Sequence, residues 1–296
     1  MQRSMWPYLI LFSGVLIAST ASIMIRYAQA AGVPSLSIAA GRLVIASLIL
    51  TPLVLARARP ELQRLSRRDL LLALGSGTFL AGHFASWISS LAYTSVASSA
   101  ALVATNPLWI ALASFFFFRE RLGWRTMVGI GLTLLGTIAI SFSDSAESLQ
   151  PNPMLGNLLA LIGAATASGY LLIGRSLRRR LSILAYIYVV YSTAAVVLVV
   201  WVLLAGQPLF GFSPYAYLLI LALALGPQLL GHTALNYALS TLSATFVAIA
   251  LLGEPIGSAI FALVLFQEQF APLQLLGFVL LLAGIVLALQ AEQSKG

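Results

Sequence analysis

The sequence predicts an all-α integral membrane protein of ten transmembrane helices, arranged as two inverted five-helix repeats with both termini in the cytoplasm. Three observations predict it: apolar stretches of spanning length from end to end, arginine concentrated on alternate loops, and motifs that return at a constant offset. Of 296 residues, 60% are hydrophobic and 8% charged, where a soluble domain carries roughly 25% charged residues. So few charges do not cover a soluble globule. A helix crosses the hydrocarbon core with about 20 mainly apolar residues. Segments of that length, divided by Pro, Gly or charge clusters, predict helices over 6–28, 36–56, 70–93, 98–118, 124–142, 154–174, 183–205, 213–237, 244–266 and 272–290. Short loops between them predict that sequence neighbours pack as antiparallel neighbours.

Each element carries its own signals. In the first, Ala28-Gln29-Ala30 imitates a signal-peptide cleavage site, yet Trp6 to Ile25 exceeds the roughly 7–15 residues of a signal h-region and is followed by Arg26. It reads as a retained helix. The second holds Arg42 near its outer end, the third His83 and Trp87, and the fourth Asn106-Pro107 and Trp109. The fifth and tenth share regularly spaced glycines, Gly129 and Gly136, then Gly277 and Gly284. The eighth contains Gln228, His232 and Asn236, and the ninth Glu254-Pro255.

Lys and Arg set orientation through short loops. With the N-terminus inside, 14 of the 16 basic residues fall on the cytoplasmic side, leaving only Arg26 and Arg42. The net charge of +8 therefore records topology, and no nucleic-acid partner is expected. Without cysteine, disulfides, thiolate zinc sites and cysteine nucleophiles are excluded. No P-loop, Gly-rich dinucleotide fingerprint or HExxH occurs, so no cofactor or metal is expected and ATP-driven pumping is unsupported.

The repeat divides the chain into 1–145, a linker loop at 146–153, and 154–296. Gly14, Ser19 and Arg26 match Gly163, Ser168 and Arg175 at an offset of 149, as Gly82-His83 matches Gly231-His232. Pro107, Glu120, Gly129 and Gly136 match Pro255, Glu268, Gly277 and Gly284 at 148. Five spans per half turn the second copy upside down. Inverted repeats recur in secondary transporters, whose substrate site lies near the midplane between the halves. A duplicated scaffold or a membrane-embedded enzyme using His83 and His232 as acid and base remains the alternative outside transport.

These residues also resemble the drug/metabolite transporter superfamily. The resemblance rests on the two five-helix copies, on Asn106-Pro107 and Glu254-Pro255, and on the endings Phe118-Arg119-Glu120-Arg121 and Phe266-Gln267-Glu268-Gln269 before Gly-rich helices. It is nearest to EamA-type exporters, and among those to the aromatic amino-acid exporters. The resemblance implies export of amino acids, large neutral and aromatic ones foremost, and of related metabolites across the cytoplasmic (inner) membrane. A proton-coupled multidrug or cation exporter is the alternative within transport.

Ionisable groups inside a bilayer are costly and normally face a cavity or one another. The candidate substrate-binding residues are His83, Trp87, Asn106, Trp109, Gln228, His232, Asn236, Glu254 and Arg42. His83 and His232, as repeat partners, are expected to converge on the axis between the halves. Asn106 and Glu254 each precede a proline that removes a helical hydrogen bond and kinks the helix. Glu254 is suited to a substrate ammonium or a coupling proton. Arg42 is expected to snorkel to the outer interface or to pair with a substrate carboxylate there, and Arg26 to anchor at the interface. Phe79, Trp87, Tyr93, Trp109, Tyr170, Tyr186, Tyr188 and Tyr191 supply aromatic walls that suit an amphipathic solute. The helices contain no Lys, which argues against phosphate or nucleotide cargo. The partners implied are a small-molecule substrate and the lipid bilayer, with monomer and homodimer both open.

Overall fold

The computed structural model describes residues 5–118, 123–147, 151–178, 180–234, 237 and 250–293. They form α1 (Trp6–Ser19), α2 (Ala21–Ala30), α3 (Ser35–Arg57), the short α4 (Arg59–Gln63), α5 (Arg67–Ser90), α6 (Val96–Val103) and α7 (Asn106–Phe118). Then follow α8 (Trp124–Glu147), α9 (Pro153–Leu177), α10 (Ile183–Leu204), α11 (Pro214–Leu223), a π-helical stretch at Ala224–Gly231, α12 (Gly253–Phe266) and α13 (Pro272–Gln293). Among these residues, eight helical stretches are long and apolar enough to cross a membrane, while two further apolar helices, Gly253–Phe266 and Pro272–Ala288, are shorter.

Local chemistry sets the helix starts. Ser66, Ser95, Asn152, Ser182 and Ser213 stand immediately before helices, and each side chain accepts a hydrogen bond from a backbone N–H three residues on. Such caps satisfy one of the orphan donors of a first turn. Local chemistry also interrupts spans. Thr20 Oγ1 donates to the Ile17 carbonyl oxygen at 2.6 Å where α1 gives way to α2. The predicted helix 98–118 is two helices, because the chain turns at Ala104–Thr105 before Asn106-Pro107. α12 likewise starts at Gly253, just before Glu254-Pro255 and after a turn at Leu252. Proline fits the first turn of a helix, where its missing N–H is not needed. Pro227 lies inside the π-helical stretch, where a widened turn accommodates it.

The packing departs from the expected order. Instead of mainly joining sequence neighbours, the broad contacts join residues far apart: α8 with α13, α5 with α9, α3 with α10, and α1 with the π-helical stretch. Short loops bring helix ends together, but helix faces go to whichever partner offers a groove of small residues. Gly129 and Gly136 of α8 approach the carbonyl oxygens of Gly284 and Gly277 so closely that an added Cβ at either would lie 2.6 Å away. The index rises on one helix as it falls on the other, so α8 and α13 run antiparallel. Gly14 crosses at Gly231 and Ala234, and Gly163 abuts Ser86 and Trp87 while Gly82 abuts Thr166. The matched glycines of the sequence are thus the crossing points of three of these long-range pairs, all but α3 with α10.

The outward surface is apolar. Phe142 of α8 is 69% exposed and Val279 of α13 64%, with Leu134, Leu135, Ile138 and Leu276 beside them. A continuous apolar exterior of this size needs lipid against it.

Candidate functional site

The centre of the bundle is built around Arg42. Seven residues into α3, its side chain is 0% exposed, so it does not snorkel. α10 and the π-helical stretch pack on α3 and close it off from the interface. Its Nη2 donates to Gln228 Oε1 at 2.9 Å, and its guanidinium lies 4.3 Å from the centroid of the Phe84 ring. Among the described residues Nε and Nη1 have no hydrogen-bond partner, while Gln228 Nε2 and Tyr191 Oη neighbour one another without either closing a hydrogen bond at full strength. Burying a charge among apolar helices is tolerated only where partners or a ligand compensate it.

Around this arginine the structure gathers several of the candidate residues. His83 is buried on α5, its ring stacked on Trp87 with centroids 5.6 Å apart and planes 11° apart. His83 Nδ1 donates to the Gly163 carbonyl oxygen of α9 at 2.9 Å, a tie between helices that leaves Nε2 to face its surroundings. Phe84 meets the His232 ring edge-on at 6.1 Å. His83, His232, Tyr191 and Glu254 all lie within electrostatic reach of Arg42. Tyr191 stands 149 residues after Arg42, the offset that also separates His83 from His232. Glu254 occupies the first turn of α12, where the partial positive charge of a helix start favours a carboxylate. Among the described residues it makes no ion pair within 4 Å, with Arg42 or any other cation.

Other candidates are placed elsewhere. In the orientation that satisfies both ends of its carboxamide, Asn106 Nδ2 donates to the Val103 carbonyl at 2.7 Å and the Ala164 carbonyl at 3.1 Å. Ser168 Oγ donates to the Asn106 carbonyl oxygen at 3.0 Å. Asn106 therefore fastens the start of α7 to α9. Trp109 Nε1 donates to Thr105 Oγ1 at 3.2 Å, closing the same turn. Phe79 is 43% exposed and lies against Gly169 at the periphery, so it is no wall of the centre. Tyr170 and Tyr186 stack at 6.4 Å, with Ser76 Oγ donating to the Tyr170 carbonyl. Asn236 lies outside the described residues, as does Glu120.

Arg26 is more than an interfacial anchor. Its Nη1 donates to the Leu91 carbonyl at 2.6 Å and the Thr94 carbonyl at 3.4 Å, while Nη2 stands 3.9 Å from Glu268 Oε1. Both Glu268 oxygens accept from the Val96 N–H at 3.2 Å and so cap α6. Gln267, in the left-handed region at φ 56°, ends α12 and swings Glu268 into this position. Phe84 and the Arg26–Glu268 pair were missed by reasoning from sequence. Phe84 differs from other core phenylalanines in no local signal, whereas the place of Tyr191 was available from the repeat offset. A surface cleft of about 410 Å³ between Glu61, Arg64, Ser66, Asp69 and Arg180 lies at the arginine-rich end of the helices. Arg57, at that end of α3, is 15 residues from Arg42, or about 22 Å at 1.5 Å per residue.

Comparison with known proteins identifies the class. The model of the EamA-like transporter family matches twice, over residues 5–142 and 154–290. The transporter YxxF of Bacillus subtilis, named as uncharacterized, is 25% identical over 278 residues, covering 91% of this chain and 86% of that protein. YetK of the same organism, also named an uncharacterized transporter, is 26% identical over 203 residues, 62% of this chain and 61% of that protein. The match to YetK thus spans less than two thirds of its length. A shorter similarity, 29% over 76 residues, links 25% of this chain to 68% of a probable 4-amino-4-deoxy-L-arabinose-phosphoundecaprenol flippase subunit, ArnE, of Hamiltonella defensa. One crystal structure superposes with a TM-score of 0.65 at 20% identity, covering 99% of this chain and 100% of that one. The all-helical apolar bundle with a buried polar centre is a multi-pass membrane transporter. The chain belongs to the EamA-like transporter family, within the drug/metabolite transporter superfamily.

Proposed function

We propose that this transporter exports amino acids, large neutral and aromatic ones foremost, and related small metabolites across the cytoplasmic membrane by alternating access. The moving parts are two inverted five-helix halves, 1–145 and 154–296, which together supply ten transmembrane helices. The observation that carries the reading is the cluster of buried Arg42, Gln228 and His83 beside half-buried His232, with Glu254 in electrostatic reach, inside an otherwise apolar bundle. A cation and a carboxylate held apart, among Trp87, Phe84 and Tyr191, suit a zwitterion with an apolar side chain.

Inversion is supported by the glycine crossings. Exchanging the halves turns the Gly129–Gly284 contact into Gly277–Gly136, which is also present, and equivalent helices α8 and α13 run antiparallel as a two-fold axis in the membrane plane requires. The double match of one family model supports the two copies. Purified protein in liposomes tests the function. Counterflow of labelled amino acids, with and without a pH gradient, is expected, strongest for aromatic ones. A chain that moves organic cations but no amino acid would refute the cargo. Cysteine labelling of Glu120→Cys and Glu268→Cys from opposite faces tests the inversion, and labelling from one face would refute it.

A further inference from the structure

We infer that Arg42, Gln228 and Tyr191 form a carboxylate-binding site, the anchor that selects acids from amines in the cargo. The inference rests on the transport role proposed above and deepens it by naming the group that is held.

The contrast between two arginines carries the argument. Arg26, at the end of its span, is satisfied by the Leu91 and Thr94 carbonyls and by Glu268. Arg42, fully enclosed, spends one nitrogen on Gln228 and leaves Nε and Nη1 without a hydrogen-bond partner among the described residues. A purely structural arginine at such a site would be ringed by carbonyl oxygens, because buried unpaired donors forfeit their hydration. Every unsatisfied polar atom of this trio is a donor or, in the Tyr191 hydroxyl, can be one. The missing complement is an acceptor, and the fork of Nη1 with the second hydrogen of Nη2 matches the two oxygens of a carboxylate. The Gln228 carboxamide, held by Arg42 through its oxygen, presents its nitrogen to the same neighbourhood.

Charge balance favours a monoanion with an attached ammonium. Glu254 lies in electrostatic reach of Arg42 but outside ion-pairing distance, so it does not occupy the guanidinium. It is left to face a positive group carried by the same molecule. A phosphate dianion beside Glu254 would bury excess negative charge against a single cation, and a simple amine would leave Arg42 unmatched.

The test uses the purified full chain. Melting shifts are measured with each of the twenty amino acids, with the amides and decarboxylated amines of those that shift it, and with inorganic phosphate; the same compounds are then tried in proteoliposome counterflow. Binding is expected for the acids and lost for their amides and amines. Arg42→Gln and Tyr191→Phe should each weaken it, Arg42→Gln by about ten- to hundredfold, the worth of hydrogen bonds to a charged group. Tyr191→Phe should not melt below the wild type without ligand, since it removes an unsatisfied hydroxyl, so its lost binding is not lost folding; Arg42→Gln also gives up the bond to Gln228 and the contact with Phe84, and its binding is read only on the fraction that stays folded. Equal binding of acid and amide, binding of phosphate alone, or full binding by Arg42→Gln overturns the site. Selective binding of acids without any flux would uphold the site and sink the transport role instead.

Discussion

The seam between α8 and α13 gives the sharpest test of the packing. In Gly136→Ala the new methyl carbon would stand 2.6 Å from the Gly277 carbonyl oxygen and 2.6 Å from the Leu281 nitrogen, where ordinary contact begins at 3.4 Å. Both obstacles are backbone, so no side chain can swing away, and the helices must part by up to the difference, about 0.8 Å. Overpacking of this kind costs about 1–3 kcal/mol, offset by up to about 1 kcal/mol because alanine favours the helix over glycine. Gly131 supplies the control on the same helix, since among the described residues nothing lies within 4 Å of its added carbon. Melting of the detergent-solubilised protein, followed by tryptophan fluorescence or by recovery on size exclusion after heating, should fall by a few degrees for Gly136→Ala. Gly284→Ala, which meets Thr133 and the Gly129 carbonyl, should fall similarly, and Gly131→Ala should hold or rise. If Gly136→Ala and Gly131→Ala melted alike, the close antiparallel seam would be wrong.

Other perturbations follow from the same geometry. Glu268→Gln weakens both the cap on α6 and the tie to Arg26 in a largely enclosed setting, so a loss of about 1 kcal/mol is expected, with little dependence on salt. Asp69→Asn removes an ion pair to Arg180, whose side chain is 44% exposed. It should cost less than about 1 kcal/mol and nothing measurable in molar salt, as chemical denaturation or melting will show. His83→Ala loses the bond to Gly163 and should cost about 1 kcal/mol of stability. It should also slow amino-acid counterflow; a destabilised but fully active variant would reduce His83 to a fastening between α5 and α9.

Much of the architecture was legible because it is written in local pattern. Spanning lengths, the arginine-rich loops and the proline that interrupts the fourth span depend on residues within one or two helical turns of each other. The paired glycines were visible as an offset, and they became helix crossings because only a missing side chain lets two backbones approach so closely. The fate of Arg42 could not be read that way. Near a helix end an arginine ordinarily reaches the interface; this one is sealed in by Gln228, 186 residues away, and by Phe84 from a third helix. The same holds for Phe79, which faces outward, and for Asn106, which serves the α7–α9 junction instead of the centre. The amino-acid order determined which segments enter the bilayer and where they bend, since hydrophobic length and backbone chemistry act along the chain. Only the tertiary structure decided which polar groups meet in the interior, since that depends on how the faces of distant helices turn toward one another.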